Sequence, residues 1–306
     1  MSGDPGRAGS AASVRERLRK VARQRGVEFQ LVLSEFAIER LLYRLGVSRH
    51  ADRFVLKGAT LFKLWTNAER RATWDLDLLG RGSSDVEDVV GAVRELCTIP
   101  SDDGIEFDGA SVRGEEIGSP DEYGGVRVRL VAHLAAAEIP VQIDVGFGDA
   151  VEPPPQVEAY PTLLDHPEPR VLVYPREAVV AEKLEALVSL GVTNSRMKDF
   201  YDVHRLAASF DFDGSALVSA IRATFVRRKT PIPVEEPVAL SHDFLSAPER
   251  ERQWLAFLRR SRLDGPAGHG ALADELRRFL LPLIEGARGS GRHDAYWPAG
   301  GPWQNR

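Results

Sequence analysis

The sequence predicts an α/β fold of the α+β kind, with strands and helices in the first half and mainly helices in the second. Three observations predict it. Between residues 54 and 147, short apolar or alternating runs, typical of strands, stand among helical patterns. Residues 152–174 are rich in proline and lack periodicity, which is typical of a connection between domains. Beyond Pro175, apolar residues recur at helical spacing and predict a helical domain.

The elements of the first half follow from local patterns. Residues 1–12 are rich in Gly, Ser and Ala and predict a disordered tail. An apolar run over 54–56 ends in Lys57-Gly58 and predicts a strand that turns into a helix over 59–65. The remaining predicted elements are helices over 13–25, over 29–45 and from Ser83 or Ser84 to Leu96, and strands over 73–79, 126–134 and 139–147, the last two as an antiparallel pair.

The second half is predicted from helix signals. Pro175 suits the start of a helix that reaches Leu190, and Asn194 or Ser195 can cap a further helix to residue 210. The tail from Gly286 is rich in Gly and Pro. The predicted domains therefore span residues 13–165, 166–285 and 286–306.

Composition excludes several classes of protein. The chain has 306 residues and a net charge of -5, and its one cysteine, Cys97, excludes an intrachain disulfide. No apolar run approaches the ~18 residues of a membrane span, and the N-terminal residues do not resemble a secretory signal. The sequence predicts a cytoplasmic protein without a membrane segment.

Two local clusters of basic residues are candidates for RNA contact, although the net charge is negative. The alternative is that both are solvated helix faces. The first cluster comprises Arg15, Arg17, Arg19, Lys20, Arg23 and Arg25, and the second Arg222, Arg227, Arg228 and Lys229.

The tripeptide Asp75-Leu76-Asp77 carries the most chemical information. In a strand, side chains two apart share a face, so Asp75 and Asp77 can converge on one divalent cation while Leu76 and Leu78 enter the core. The alternative is an ordinary solvent face of an edge strand. A third carboxylate, Asp144, follows the same alternation in a later strand and can join them if the two strands are neighbours. Hard carboxylate ligands suit Mg²⁺, with triphosphate oxygens and water completing its shell.

Lys57-Gly58 precedes the acidic pair at a predicted strand-to-helix turn. Glycine lets backbone N–H groups approach a phosphate, and the N-terminus of the following helix favours an anion. Lys57 would add a positive charge. The alternative is an ordinary turn.

Two helices of the second half carry further candidates. Lys183 lies at the edge of an apolar stripe, and Asp199 lies on the inward face of the next helix. A buried lysine requires an anionic partner, which is either a phosphate or Asp199 itself in an interhelical ion pair. Lys198 and Asp202 are four apart and can form a surface pair.

Six segments in order resemble the AbiEii/AbiGii abortive-infection toxins over residues 25–245. They are ADRFVLKGA at 51–59, DLDLLG at 75–80, EYGGVRVRL at 122–130, VQIDVGFGDA at 141–150, AEKL at 181–184 and NSRMKDFYD at 194–202. The wider superfamily usually has Gly-Ser where this chain has Lys57-Gly58, but this toxin branch commonly has Lys-Gly.

The resemblance implies a DNA polymerase β-like nucleotidyltransferase domain with a mixed sheet, followed by a mainly helical domain. It implies Mg²⁺, an NTP substrate, a cognate antitoxin and a role in phage defence; MenT toxins, which resemble the family, modify the 3′ end of tRNA. By the same resemblance, Asp75 and Asp77 match the metal carboxylates, Lys183 the lysine of the triphosphate and Asp199 the last acidic motif. Lys57, Gly58, Thr73 and Asp202 join Lys183 as nucleotide-binding candidates, with Thr73 also at a position that a kinase-like antitoxin modifies in some relatives.

Three functions remain open from the sequence. The first is a toxin that transfers a nucleoside monophosphate from an NTP to RNA, with the tRNA 3′ end as the expected acceptor and blocked translation as the result. The second is a nucleotidyltransferase that acts on a hydroxyl of a protein or small molecule. The third is an NTP-binding regulator without catalysis.

Overall fold

The computed structural model describes residues 5–65, 74–118, 124–193, 196–266, 268–289 and 293–305. The chain divides into two compact units, the first formed by residues 1–148 and 156–173 and the second by residues 149–155 and 174–306. The predictions for Thr73, Asn194 and Ser195 lie outside the described residues.

The first unit combines helices with a seven-stranded mixed sheet, ordered β3-β4-β5-β2-β1-β7-β6. The strand β2 is central: it runs parallel to β5 on one side and antiparallel to β1 on the other. The elements are α1 (Pro5–Arg25), α2 (Phe29–Gly46), β1 (Phe54–Lys57), α3 (Leu61–Trp65), β2 (Asp75–Gly80), α4 (Val86–Thr98), β3 (Ile105–Ile117), β4 (Gly125–Leu134), β5 (Ala137–Phe147), β6 (Gln156–Ala159) and β7 (Arg170–Val173).

The apolar face of the central strands forms the core of this unit. Leu76 and Leu78 of β2 are 1% and 4% exposed. They line a common apolar region with Ile143 and Val145 of β5 and with Leu41 of α2. The prediction that the side chains of Leu76 and Leu78 enter the core is confirmed. The residues that alternate with them in β2 therefore lie on the opposite face of the sheet.

Several predicted elements are confirmed and others are corrected. The antiparallel pairing of β4 with β5 and the strand–turn–helix around Lys57 are confirmed. The helix α1 begins at Pro5, where the sequence predicted a tail to residue 12, because proline fits the first turn of a helix and the apolar contacts of α1 extend back to Ala11. The cap of α4 is Asp85, whose carboxylate accepts hydrogen bonds from two backbone N–H groups, not Ser83 or Ser84.

Three strands of the first unit, β3, β6 and β7, were absent from the prediction. The long strand β3 pairs with β4, but its register shifts between Asp108 and Arg113, which interrupts the alternation on which a sequence prediction depends. The short strand β7 pairs in parallel with β1, so residues within the proline-rich connection belong to the first unit. The first compact unit thus includes residues 156–173, and the second includes residues 149–155.

The second unit is mainly helical and includes a small sheet ordered β10-β9-β8. The predicted tail from Gly286 is packed: Trp297 is 4% exposed, and Trp303 stacks on Phe279 with ring centroids 5.8 Å apart. No helix among the described residues is both long enough and apolar enough to cross a membrane. The elements are α5 (Arg176–Leu190), α6 (Met197–Ser209), β8 (Phe212–Asp213), α7 (Gly214–Arg228), α8 (His242–Leu245), α9 (Pro248–Ser261), α10 (His269–Arg288), β9 (Ala295–Trp297) and β10 (Gln304–Asn305).

Candidate active site

Four charged residues occupy matching positions in four neighbouring strands of the first unit. Arg127 of β4 pairs with Asp144 of β5, Asp144 with Asp77 of β2, and Asp77 with Lys57 of β1. Paired residues present their side chains on the same face of a sheet. The result is a charged row across the sheet in which two carboxylates lie between two cations.

Asp75 lies two residues before Asp77 and therefore on the same face of β2. Burial raises the pKa of its carboxyl, and the nearby Asp144 raises that pKa further, whereas Arg127 and Arg129 oppose the rise. A carboxylate in these surroundings is stabilised by an additional positive charge. The predicted convergence of Asp75 and Asp77 on one face is in place.

The turn after β1 brings backbone against the carboxylate of Asp77. Gly58 has a φ of +74°, and a Cβ atom built on it would lie 2.0 Å from Oδ2 of Asp77. Glycine is required there both by the backbone conformation and by the close approach. A short 3₁₀ helix, Gly58–Thr60, begins at this point, so the predicted turn adjoins the acidic pair directly.

Asp144 is held by Arg127. The Nε and Nη2 atoms of Arg127 donate hydrogen bonds of 2.8 and 2.6 Å to the two carboxylate oxygens of Asp144. Among the described residues, no three Asp, Glu, His or Cys side chains are grouped so as to hold a metal ion. Asp75 and Asp77 share this face of β2, and Asp144 lies beside Asp77 on the neighbouring strand. Mg²⁺ is commonly bound by one or two carboxylates together with substrate phosphates.

The second unit gathers the other predicted site residues. Nζ of Lys183 in α5 lies 2.9 Å from Asp199 and 2.7 Å from Asp202, both in α6. Arg196 lies 2.8 Å from the second oxygen of Asp199. Burial lowers the pKa of Lys183, but the two carboxylates outweigh that effect and raise it. The interhelical ion pair left open by the sequence is present and also includes Asp202, for which the sequence left a surface pair with Lys198 open.

The two basic clusters differ in their exposure. In the second cluster, Arg222 donates to backbone carbonyl oxygens of Gly286, Ala287 and Gly289, and Arg228 pairs with Glu185 at 2.8 Å. These two residues hold the unit together, whereas Arg227 and Lys229 of the same cluster are exposed. In the first cluster, Arg17, Lys20 and Arg23 are exposed along one side of α1.

Sequence reasoning missed Arg127. The available signal was the alternation Val126, Arg127, Val128, Arg129, Leu130, which places both arginines on the face opposite the apolar residues. What alternation does not give is the register that sets Arg127 beside Asp144, because that depends on pairing between separate strands.

The fold and this site together define a mixed α/β protein of the nucleotidyltransferase class. Residues 40–280 match the family model described as the nucleotidyl transferase AbiEii toxin of a type IV toxin–antitoxin system. The chain belongs to this family, which implies a DNA polymerase β-like fold and an antitoxin partner. The predicted family and fold class are confirmed.

Solved structures similar to this chain include JHP933 from Helicobacter pylori, with 18% sequence identity and a TM-score of 0.49 over 85% of this chain and 94% of that one. Another is a putative nucleotidyltransferase from H. pylori, with 18% identity and a TM-score of 0.48 over 87% of this chain and 100% of that one. No curated protein matches the sequence significantly.

Proposed function

We propose that this protein is a Mg²⁺-dependent toxin that transfers a nucleoside monophosphate from an NTP to RNA, with the 3′ end of tRNA as the acceptor. The observation that carries the proposal is the placement of Asp75 and Asp77 on one face of β2, against the Gly58 turn and beside Lys57. Family membership supports the nucleotidyl transfer. Modified tRNA 3′ ends would block translation in the cytoplasm, where a phage-defence toxin acts.

Different residues of the first unit would have different roles in the transfer. Asp75 and Asp77 would hold the cation, which supplies charge neutralisation at the triphosphate oxygens. Backbone N–H groups at the Gly58 turn and the Lys57 ammonium would bind phosphates. The 3′ oxygen of the RNA forms a bond to the α-phosphorus, the bond to pyrophosphate breaks, and the hydroxyl proton leaves to solvent. By the family resemblance, the hydroxyl of Thr73 is a further nucleotide-binding candidate.

In this proposal, Lys183 would bind a triphosphate oxygen, as the family resemblance implies. An ammonium group has three N–H donors, and the contacts to Asp199 and Asp202 use two of them. The third would be the donor to phosphate.

Support for an RNA acceptor comes from the helix α1. Its exposed Arg17, Lys20 and Arg23 are spaced by three residues and share one side of the helix. Glu16, the acidic residue of α1, pairs with Arg19 at 2.9 Å and leaves this side positive. Three cationic side chains along a helix can pair with successive phosphates of a nucleic acid, and such phosphate contacts supply most of the sequence-independent affinity.

In the decisive experiment, the protein is incubated with α-³²P-labelled NTPs, Mg²⁺, total RNA and cell lysate, and the molecules that acquire the label are identified. Label on tRNA is expected with the wild-type protein and not with Asp75→Asn or Asp77→Asn. Label on a protein or small metabolite alone would refute the RNA acceptor and leave nucleotidyl transfer standing. Absence of any transfer, with NTP still bound, would refute the enzyme and favour a regulator.

A further inference from the structure

A second row of polar side chains crosses the sheet next to the charged row and on the same face. Arg113 of β3 pairs in register with Arg129 of β4, Arg129 with Gln142 of β5, and Gln142 with Asp75 of β2. Paired residues present their side chains on the same face of a sheet. This row therefore runs from a carboxylate on the central strand to two arginines near the β3 edge of the sheet.

Arg129 is held only by partners that a phosphate can replace. Its side chain is 53% exposed, and its Nη1 atom lies 2.7 Å from Glu115, whose side chain is 52% exposed. Its Nε atom donates to Gln142 at 3.3 Å. Ion pairs as exposed as this one contribute little to stability. In the described part of the chain, these hydrogen bonds use two of the five N–H donors of the guanidinium, so others remain for a ligand.

The two other arginines of this face have stronger commitments within the protein. Arg127 donates to both oxygens of Asp144. The Nη1 atom of Arg113 donates to two backbone carbonyl oxygens of its own strand, at 2.7 and 2.9 Å. Arg129 is thus the arginine of this face that can turn to an external anion at the smallest cost.

The stereochemistry of phosphoryl transfer indicates which substrate Arg129 would meet. The attacking oxygen and the leaving oxygen lie roughly in line, on opposite sides of the phosphorus. In the proposed function the triphosphate binds at the Gly58 turn, which follows β1, and in the sheet β1 and β4 lie on opposite sides of β2. The acceptor would therefore approach over β5 and β4, the side on which Arg129 is exposed.

We propose that Arg129 binds a backbone phosphate of the acceptor RNA next to its 3′ end and directs the terminal hydroxyl towards the acidic strands. The inference rests on the proposed function, because it assumes an RNA acceptor and a triphosphate at the Gly58 turn. Glu115 occupies the guanidinium in the free protein and gives it up to the RNA phosphate. The arginine also offsets the repulsion between the RNA phosphate and the carboxylates of this face.

The test compares binding of RNA with binding of nucleotide in the full-length protein. Affinity for unfractionated tRNA is measured by filter binding without NTP, and KM values for tRNA and NTP are measured in the labelled-transfer assay. Arg129→Gln is expected to bind tRNA at least about fivefold more weakly, with KM for NTP unchanged. One lost contact with a phosphate of single-stranded RNA should also reduce the log–log salt slope by about 0.7.

A matched exposed ion pair elsewhere in the first unit supplies the controls. Arg49 and Glu95 pair with side chains that are 74% and 47% exposed, and neither belongs to a strand of the sheet. Arg49→Gln and Glu95→Gln are expected to leave tRNA affinity unchanged within about twofold. Glu115→Gln is expected to tighten tRNA binding, because it removes the anion that competes for Arg129. Thermal melting checks that the four variants are folded.

The outcomes separate this inference from the proposed function. Wild-type transfer to tRNA with equal tRNA affinities in Arg129→Gln and Arg49→Gln would overturn the role of Arg129 and leave the enzyme standing. A higher KM for NTP in Arg129→Gln, with tRNA affinity unchanged, would also overturn it, because the arginine would then contact the triphosphate. Failure of the wild-type protein to bind or label tRNA would overturn both proposals.

Discussion

Gly58 and Asp77 approach so closely that a Cβ atom on the glycine would lie 2.0 Å from Oδ2 of the aspartate. The contact joins the turn after β1 to the carboxylate face of β2. It also fixes the position of one proposed cation ligand relative to the backbone that would bind phosphate. The site therefore requires glycine at position 58 for the close approach of Asp77 as well as for the turn.

Gly58→Ala is expected to weaken both folding and cation binding. The new methyl group would displace the carboxylate of Asp77, and overpacking of this kind typically costs about 1–3 kcal/mol. The matched control is Gly82→Ala, because Gly82 also has a positive φ of +85° but has nothing within 4 Å of its Cβ position. Urea denaturation and Mn²⁺ titration of both variants measure the difference. Equal losses in the two variants would show that backbone strain alone matters.

Asp75→Asn is expected to stabilise the metal-free protein at neutral pH. Burial and the charge of Asp144 raise the pKa of Asp75 above its unfolded value, so folding favours the protonated carboxyl. The stability that this group contributes is present below the ordinary value of 3.8 and is lost as pH rises through the folded pKa. The advantage of the variant should therefore grow as pH rises above 3.8 towards neutrality, as measured by melting temperature in EDTA. An advantage that stays constant as pH rises would contradict this account.

Lys183→Met is expected to destabilise the protein by about 3–5 kcal/mol, since it leaves buried carboxylates without their cation. Asp199 and Asp202 are 2% and 9% exposed. Lys183→Met/Asp202→Asn should recover much of the loss, because Asp199 keeps its contact with Arg196. Urea midpoints of the two variants report the effect, and an unchanged midpoint for Lys183→Met would contradict it.

The same double variant, compared with Asp202→Asn alone, separates the proposed nucleotide contact of Lys183 from the folding effect. If Lys183 binds the triphosphate, NTP affinity measured by calorimetry in Mg²⁺ should fall roughly 10- to 150-fold, the equivalent of about 1.5–3 kcal/mol for a charge-assisted contact. An unchanged affinity in the folded double variant would confine Lys183 to a structural role.

Arg228→Gln is expected to lower stability by about 3 kcal/mol, because the guanidinium is the cation for a group of carboxylates that are mostly buried. Arg228 lies 2.8 Å from Glu185, 3.4 Å from Asp149 and 3.5 Å from Glu182. Arg252→Gln is the matched control, since its exposed side chain should change stability by no more than about 0.5 kcal/mol. Thermal melting of the pair checks the assignment, and similar melting temperatures would refute it.

Replacement of Arg17, Lys20 and Arg23 by Gln is expected to weaken RNA binding and its dependence on salt. Each phosphate contact on single-stranded RNA adds about 0.7 to the log–log salt slope, so three lost contacts should reduce the slope by about 2. The comparison variant replaces three exposed arginines of α9 and removes the same charge. An equal reduction in that variant would contradict the assignment of α1 as an RNA-binding surface. The α9 arginines are Arg252, Arg259 and Arg260.

The sequence alone determined the features that depend on neighbours along the chain. The strand-to-helix turn at Gly58 and the shared face of Asp75 and Asp77 follow from periodicities of two and 3.6 residues, which act within a few residues. The confirmed antiparallel pair β4–β5 required only two strand patterns with a short connection between them. The order of its motifs also sufficed to identify the family, which the family match confirmed.

Only the tertiary structure decided how distant segments meet. The sequence offered Asp144 as a third metal carboxylate if its strand lay beside β2; the strands are neighbours, and the register of β4 against β5 also sets Arg127 on Asp144. The sequence left Lys183 open between a phosphate and an ion pair, and the packing of α5 on α6 brings two carboxylates to it. The physical reason is the same in both cases. A charge is satisfied by whichever partner the fold brings within hydrogen-bonding distance, and that partner is set by strand register and helix packing over separations that no local pattern encodes.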